Sequence, residues 1–395
     1  MSFLYPFLNF LQPGILWPDL AWLRPMLVLS ALALLVGYTQ KSSYDRREAW
    51  RSKPFFWLVV FILAQALSVY PSGFAEMLSE LGYWYVFLLF VVISIVLIRD
   101  EETLSRYVWG TLIGSLVVVG YGIYSVPAWG GYMGSGRAGA YGMYDNHNDY
   151  TFIIIQIVPY LFMYWRHEEG AFRRLILFLG LVACLLGVAM SLSRGGMIAL
   201  VVEIMLLVVI GMEGRRRWWL VPLIGVLGAG AVGYQYARRA ANQGDAYTAE
   251  DAEEGRLELW KAGGLMVVAH PVLGVGSRRF PEYAWQYYDL SHDMRGKVSH
   301  NTYVEVAATT GLVGFVSFMM MGWRLVQDLR RRTGARKGII EATRRATLIG
   351  IYAIAARCFL DAKPHDWCFY TFCAIGIACC RLRDRPEEVV NEGVG

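Results

Sequence analysis

A series of long apolar runs, each separated from the next by charge or by Pro and Gly, constrains this chain more than any other feature. They fall near 25–38, 55–70, 83–98, 107–126, 150–165, 174–191, 195–212, 218–236, 301–323, 344–360 and 367–380. A helical crossing of the hydrocarbon layer takes roughly 20 apolar residues, and 56% of the 395 residues are hydrophobic while 17% are charged. In lipid only internally satisfied backbone is stable, so such runs fold as helices. The chain therefore reads as an all-α, polytopic integral membrane protein of about 11 to 12 helices. A soluble enzyme, a disordered chain and a small secreted scaffold are excluded. Pro6, Pro13 and Pro18 interrupt the apolar first 20 residues, which leaves that end open between a partial span and an interfacial segment. The start MSFLYPFLNFLQPG has no positive n-region or small-residue cleavage site, so insertion is expected to rest on the spans themselves.

The net charge of +5 tells less than the placement of Lys and Arg. Basic loops carry Lys41, Arg46, Arg47, Arg51 and Lys53; Arg166, Arg173 and Arg174; Arg215, Arg216 and Arg217; Arg330, Arg331, Arg332, Arg336 and Lys337; and Arg381, Arg383 and Arg385. They alternate with loops that hold a single cation or none, as the excess of positive charge on the cytoplasmic side requires. The exception is the long loop 237–300, whose charges carry little topological weight because long loops translocate regardless of charge. The chain divides into N-terminal transmembrane helices over 1–236, this long outer loop with an interfacial helix, C-terminal transmembrane helices over 301–381 and a tail over 382–395. Cys184, Cys358, Cys368, Cys373, Cys379 and Cys380 lie in or at the ends of apolar runs without zinc or redox spacing, and read as buried thiols.

Five of the six histidines, His147, His270, His292, His300 and His365, fall on the outer side, so chemistry is expected there. The run Ser299-His300-Asn301-Thr302-Tyr303-Val304-Glu305 closes the long loop and opens a span. A histidine at that edge accepts a proton near neutral pH, and a plain helix cap explains the same residues. Ser191-Leu192-Ser193-Arg194-Gly195-Gly196 makes a tight turn between two spans. Its guanidinium suits a diphosphate at the surface, and a snorkelling cation is the competing reading. Arg256 opens GRLELWKAG, followed by HPVLGVG; from Arg256 to Ala269 an interfacial helix is expected, stopped by Pro271. Arg256 faces either the same surface layer as Arg194 or a carboxylate among Glu250, Asp251, Glu253 and Glu254. Arg137 and the cluster Tyr144 to Asp149 suit sugar hydroxyls or an Asx-rich cap. Asp289, His292, Asp293 and His300 match no zinc or calcium template, so no metal is expected. Glu203, in mid-span, is expected to form a structural ion pair, with Arg357 as candidate partner.

Taken together, SLSRGG, GRLELWKAG with HPVLGVG, and SHNTYVEVAATTGLVG resemble the O-antigen ligase and polymerase family. The motifs cover roughly residues 137–315, and their order makes the resemblance specific where each alone is weak. The resemblance implies a GT-C-type glycosyltransferase of the inner membrane with its site facing the periplasm. It would pass a glycan from a polyprenyl diphosphate carrier to a glycan or lipid acceptor, inverting the anomeric centre, without a cofactor, a nucleotide sugar or, in ligases, a metal. Arg194 and Arg256 match the family's diphosphate-binding arginines, and His300 matches its base. Arg137 and Asn148 match a substrate-binding motif, and Asn301 and Glu305 are counted with substrate binding. Membrane lipids are expected partners and nucleic acid is not.

Ligase is favoured over a polymerase joining lipid-linked repeats. A protein O-oligosaccharyltransferase would need a surface to read a polypeptide, and no additional domain for that is evident. A transporter typically gathers polar residues near the midplane, whereas here they gather on one face.

Overall fold

The computed structural model describes residues 1–42, 44–212, 214, 217–243, 249–331 and 338–384. Arg215, Arg216, Arg332, Arg336, Lys337 and Arg385 of the basic loops lie outside the described residues, as does the tail from 385.

The described residues are helical and contain no strand. In chain order the helices are α1 (Leu4–Leu11), α2 (Pro13–Leu16), α3 (Pro25–Thr39), α4 (Arg46–Trp50), α5 (Lys53–Ser68), α6 (Phe74–Leu97), α7 (Glu101–Trp129) and α8 (His147–His167). There follow α9 (Ala171–Ser191), α10 (Arg194–Leu206), α11 (Arg217–Gln243), α12 (Ala249–Ala269), α13 (Phe280–Tyr287), α14 (Thr302–Arg330), α15 (Ile339–Arg357) and α16 (Trp367–Arg383). Every expected span forms a helix at its expected place. Six segments among the described residues are long and apolar enough to cross a membrane: Lys53–Ser72, Phe74–Leu97, Glu101–Trp129, Ala171–Ser191, Arg194–Gly211 and Thr302–Arg330. The helix expected from Arg256 to Ala269 is present as part of α12, which starts earlier, at Ala249, and ends just before Pro271.

Environment separates these helices by sequence. From Tyr150 to Leu161 every residue of α8 is buried, so this helix is the centre of the bundle. On α9, Phe172, Leu175, Phe178, Leu179, Val182 and Leu186 are exposed at helical spacing and make an apolar outer stripe. The described free cysteines, Cys184, Cys358, Cys373, Cys379 and Cys380, are buried; the Cys368 side chain lies outside the described set.

The N-terminal segment is a broken helix, α1 and α2, lying along the bundle. Ser2 Oγ donates to Leu97 O at 3.1 Å, at the basic-loop end of α6, while Met143 N donates to Gln12 Oε1 at 3.3 Å at the opposite end. α1 climbs α7 along Gly110 and Gly114, where a Cβ on Gly114 would lie 2.7 Å from the Phe7 carbonyl oxygen. Small residues let two backbones approach where lipid supplies no hydrophobic drive.

α14 is also broken. Gly311 takes φ 61° and ψ −163° within it, and the segment His270–Gly276 of the long loop fills the gap. Val275 N donates to Ala308 O at 3.0 Å, Gly276 N to Thr309 O at 2.9 Å, and Leu312 N to Pro271 O at 2.8 Å. The loop thus satisfies the groups that the break frees. Gly274, at φ 69°, packs on the Thr309 backbone, and Gly311 on the Val272 backbone. HPVLGVG and TTGLVG are two halves of one joint.

Glu203 corrects the expected ion pair. It is fully buried, and neither carboxylate oxygen has a hydrogen-bond partner among the described residues. Arg357 is committed elsewhere, to Asp361, because the i,i+4 carboxylate at its own helix end is the nearer partner.

Candidate active site

The turn that presents Arg194 is clamped from two sides. Leu192 adopts a left-handed φ of 50°, and Ser193 caps α10 by accepting from Gly196 N at 3.1 Å. Arg137 Nε donates to Ser191 O at 2.9 Å and its NH2 to Leu192 O at 3.1 Å. Ser193 Oγ donates to Asn148 Oδ1 at 2.7 Å. Arg137 and Asn148 therefore both grip the turn that opens α10, with Arg194 as its first residue. The two glycines serve helix packing as well as the turn: a Cβ on Gly196 would lie 2.7 Å from Thr151, and one on Gly195 would strike the Arg357 guanidinium.

His300 sits on a comparably fixed turn. Its φ of 52° is left-handed, a conformation costing a non-glycine residue on the order of 1–3 kcal/mol unless its surroundings hold it. Ser299 Oγ donates to Asn301 O at 2.8 Å, Ser299 N to Glu305 Oε2 at 2.9 Å, and Trp260 Nε1 of α12 to Ser299 O at 3.0 Å. Asn301 caps α14, its Oδ1 accepting from Tyr303 N at 3.0 Å and Val304 N at 3.2 Å. In this structure Asn301 and Glu305 thus hold the backbone around His300. The capping reading of this motif is present in full, and His300 stands beside it.

The His300 ring faces Asp361, with Nδ1 3.8 Å from Oδ1. Asp361 Oδ2 accepts from Arg357 NH2 at 3.2 Å, its Oδ1 from Ala362 N at 3.0 Å, and its carbonyl from Thr302 Oγ1 at 2.7 Å. Burial alone would raise the Asp361 carboxyl, but His300, Arg357 and Lys363 outweigh it and hold the group well below the usual carboxylate range. Arg357 also reaches Asn148 O at 3.5 Å. A single chain of contacts therefore runs from His300 through Asp361, Arg357 and Asn148 to Ser193, beside Arg194. Lys363 joins the same floor by pairing with Asp149 at 2.9 Å, and that pairing outweighs burial to raise its ammonium.

Arg256 lies on α12 one turn before Trp260, on the face that carries the bond to Ser299. Its candidate carboxylates, Glu250, Asp251, Glu253 and Glu254, have side chains outside the described set. Asp289 faces Arg295 and His292 faces Asp293, each at 3.6 Å and on the surface, while His300 turns to Asp361. Among the described residues no three His, Cys, Asp or Glu side chains gather as a metal-binding group.

Sequence reasoning passed over Asp361 altogether and misassigned Arg357. Their i,i+4 spacing at the outer end of a span, in RCFLDAKPHDW, was the available signal. Arg278 was also missed: it binds Glu80 of α6 with NH2 at 2.7 Å and lies 4.1 Å over the Tyr83 ring, pinning the loop to the bundle. Beside it Ser277 Oγ donates to Gln65 Oε1 at 2.6 Å.

Residues 179–319 match the family model of O-antigen ligase, so the motif resemblance is borne out for this part of the chain. The match begins in α9 and ends in α14; it takes in Arg194, Arg256 and His300, while Arg137, Asn148 and Asp361 lie outside it. No curated protein matches the chain. The chain is thus an all-α protein with six segments able to cross a membrane among its described residues, in which residues 179–319 are similar to O-antigen ligase.

Proposed function

We propose that the chain is an O-antigen ligase-like glycosyltransferase of the inner membrane, moving a glycan from a polyprenyl diphosphate carrier to lipid A core or another surface acceptor at the periplasmic face. The observation that carries this reading is the facing of His300 and Asp361 on the outer floor next to the Arg194 turn. A carboxylate opposite Nδ1 favours the tautomer with its proton there, which leaves Nε2 to act as base.

In the reaction the acceptor oxygen attacks the anomeric carbon and its proton passes to Nε2 of His300. The bond from that carbon to the diphosphate breaks, and its electron pair leaves with the polyprenyl diphosphate. Attack from the side opposite the leaving group inverts the centre. Arg194 and Arg256 take the charge that develops on the leaving oxygens, where fixed cations in a partly water-excluded cleft act most strongly. Arg137 and Asn148 hold the Arg194 turn in register. Asp361 touches no substrate and positions the base.

The test is the state of surface glycans in a deletion strain carrying the intact gene or its His300→Ala version. General-base loss costs about 10²–10⁴ in rate, so the variant is expected to leave long chains on the polyprenyl lipid while the protein still inserts. Transfer at the parent level by His300→Ala would remove His300 as base. Delivery of single repeat units in the deletion strain would assign the same residues to a polymerase.

A further inference from the structure

A cavity of about 360 Å³ opens between α1, α2, α3 and α6, with Met143 and Trp367 completing its lining. That volume lies within the range of ligand pockets, about 300–1,000 Å³. Its walls are Ile15, Met26, Leu27, Val86, Leu89 and Phe90. None of Asn148, Asp149, His300, Arg357, Asp361 and Lys363 lines it, so it does not include the floor that holds His300. Its polar lining is rich in donors. The Asn9 Nδ2 and Gln12 Nε2 groups are buried without a hydrogen-bond partner among the described residues, while Gln12 Oε1 is already engaged by Met143 N. Arg24 adds an exposed guanidinium at the mouth, on a left-handed backbone of φ 44°. Arg24 stands at the end of α3 opposite the basic loop 41–53, where the charge bias of membrane proteins disfavours a cation. Trp17 and Trp22 are exposed beside it, as side chains at a membrane interface are.

Apolar walls beneath unpaired N–H donors and a cation complement one class of molecule. We infer that this cavity binds a phospholipid with an anionic head group, its acyl chain against Leu27, Leu89 and Phe90 and its phosphate at Arg24, Asn9 and Gln12. The site belongs to the fold and does not depend on the glycan reaction. Burying unpaired amide donors costs free energy that acceptor oxygens recover, and the lipid thereby seals the broken N-terminal helix to α3 and α6.

The full chain, purified in detergent and stripped of lipid, is incubated with phosphatidylglycerol, phosphatidylcholine, a polyprenyl monophosphate or inorganic phosphate, and retained lipid and melting temperature are read. The parent is expected to retain phosphatidylglycerol over phosphatidylcholine by about fivefold, the worth of one cation near an anionic surface. Arg24→Gln, at an exposed position, removes that preference, and Leu89→Trp removes retention of both lipids. His300→Ala leaves binding unchanged, so loss of transfer and loss of this site are read separately. Equal retention of the two phospholipids by the parent, or an unchanged preference in Arg24→Gln, overturns the inference. So does a melting shift reproduced by inorganic phosphate alone, or preferential capture of the polyprenyl phosphate, which would make the cavity part of the donor path.

Discussion

The helical body and the outer loop are held together by different means. In the body, glycines seat one helix on another: Gly114 on Phe7, Gly196 on Thr151, Gly195 on Arg357, with α8 enclosed on all sides. The loop has a small core, in which Leu259, Ala262, Met266, Phe280, Leu290 and Met294 are buried together with Ala308 of α14. Polar ties fasten it to the body, chiefly Arg278 to Glu80 and the backbone bonds of His270–Gly276 with α14. Arg194 stands on the first construction and Arg256 on the second. The two expected grips on the donor are therefore differently secured, and damage to one region need not reach the other.

The largest expected effect tests the body. Asp361→Ala leaves the Arg357 guanidinium, 1% exposed, without its carboxylate. Breaking a buried pair costs about 3–5 kcal/mol, so the solubilised variant should melt well below the parent; melting at the parent temperature would show that the pair does not support the floor. Met266→Ala tests the loop. The cavity costs about 2–5 kcal/mol, and limited proteolysis should open the loop while the helical body stays intact. Cleavage spreading at once through the bundle would mean that the two regions unfold as one.

Arg194→Ala sharpens the comparison without touching either core. Loss of charge-assisted contacts worth about 1.5–3 kcal/mol is expected to weaken donor binding roughly tenfold or more while the protein still folds and inserts. Unchanged donor affinity would remove Arg194 from the site.

The effect that depends on pH lies at the seam between the two regions. His365 packs edge-on to Tyr83 at 6.5 Å, and burial, with Lys363 and Arg278 adding to it, pushes its pKa from 6.5 down to about 4. Between those values the unfolded chain takes a proton that the folded one refuses, so this contribution to stability is present above pH 6.5 and is lost as the pH falls towards about 4. His365→Gln should flatten that decline in a melting series, and an equally steep decline in the variant would place its origin elsewhere.

Much of the fold was legible because the apolar runs state where the helices lie. What the runs do not state is environment. α8 and α9 read alike as apolar runs, yet the first is surrounded by protein and the second presents an apolar stripe outward. The three motif residues Arg194, Arg256 and His300 stood out as polar groups at helix ends. Asp361 did not, because its meaning lies in a partner 61 positions away, and single-sequence pattern carries no such pairing. Asn301 and Glu305 were visible, but spacing alone does not tell a group that meets substrate from one that holds a turn. Glu203 was paired with Arg357 by proximity to the same apolar layer, and the nearer Asp361 had prevented it.

The joint between Gly274 and Gly311 bears on how the protein is made. The half of the joint in the loop leaves the ribosome before the half in α14, and the carbonyls of Ala308 and Thr309 that receive it do not yet exist when it emerges. The joint is therefore closed only once the later segment has been made, and until then the backbone groups of His270–Gly276 lack the partners that α14 supplies.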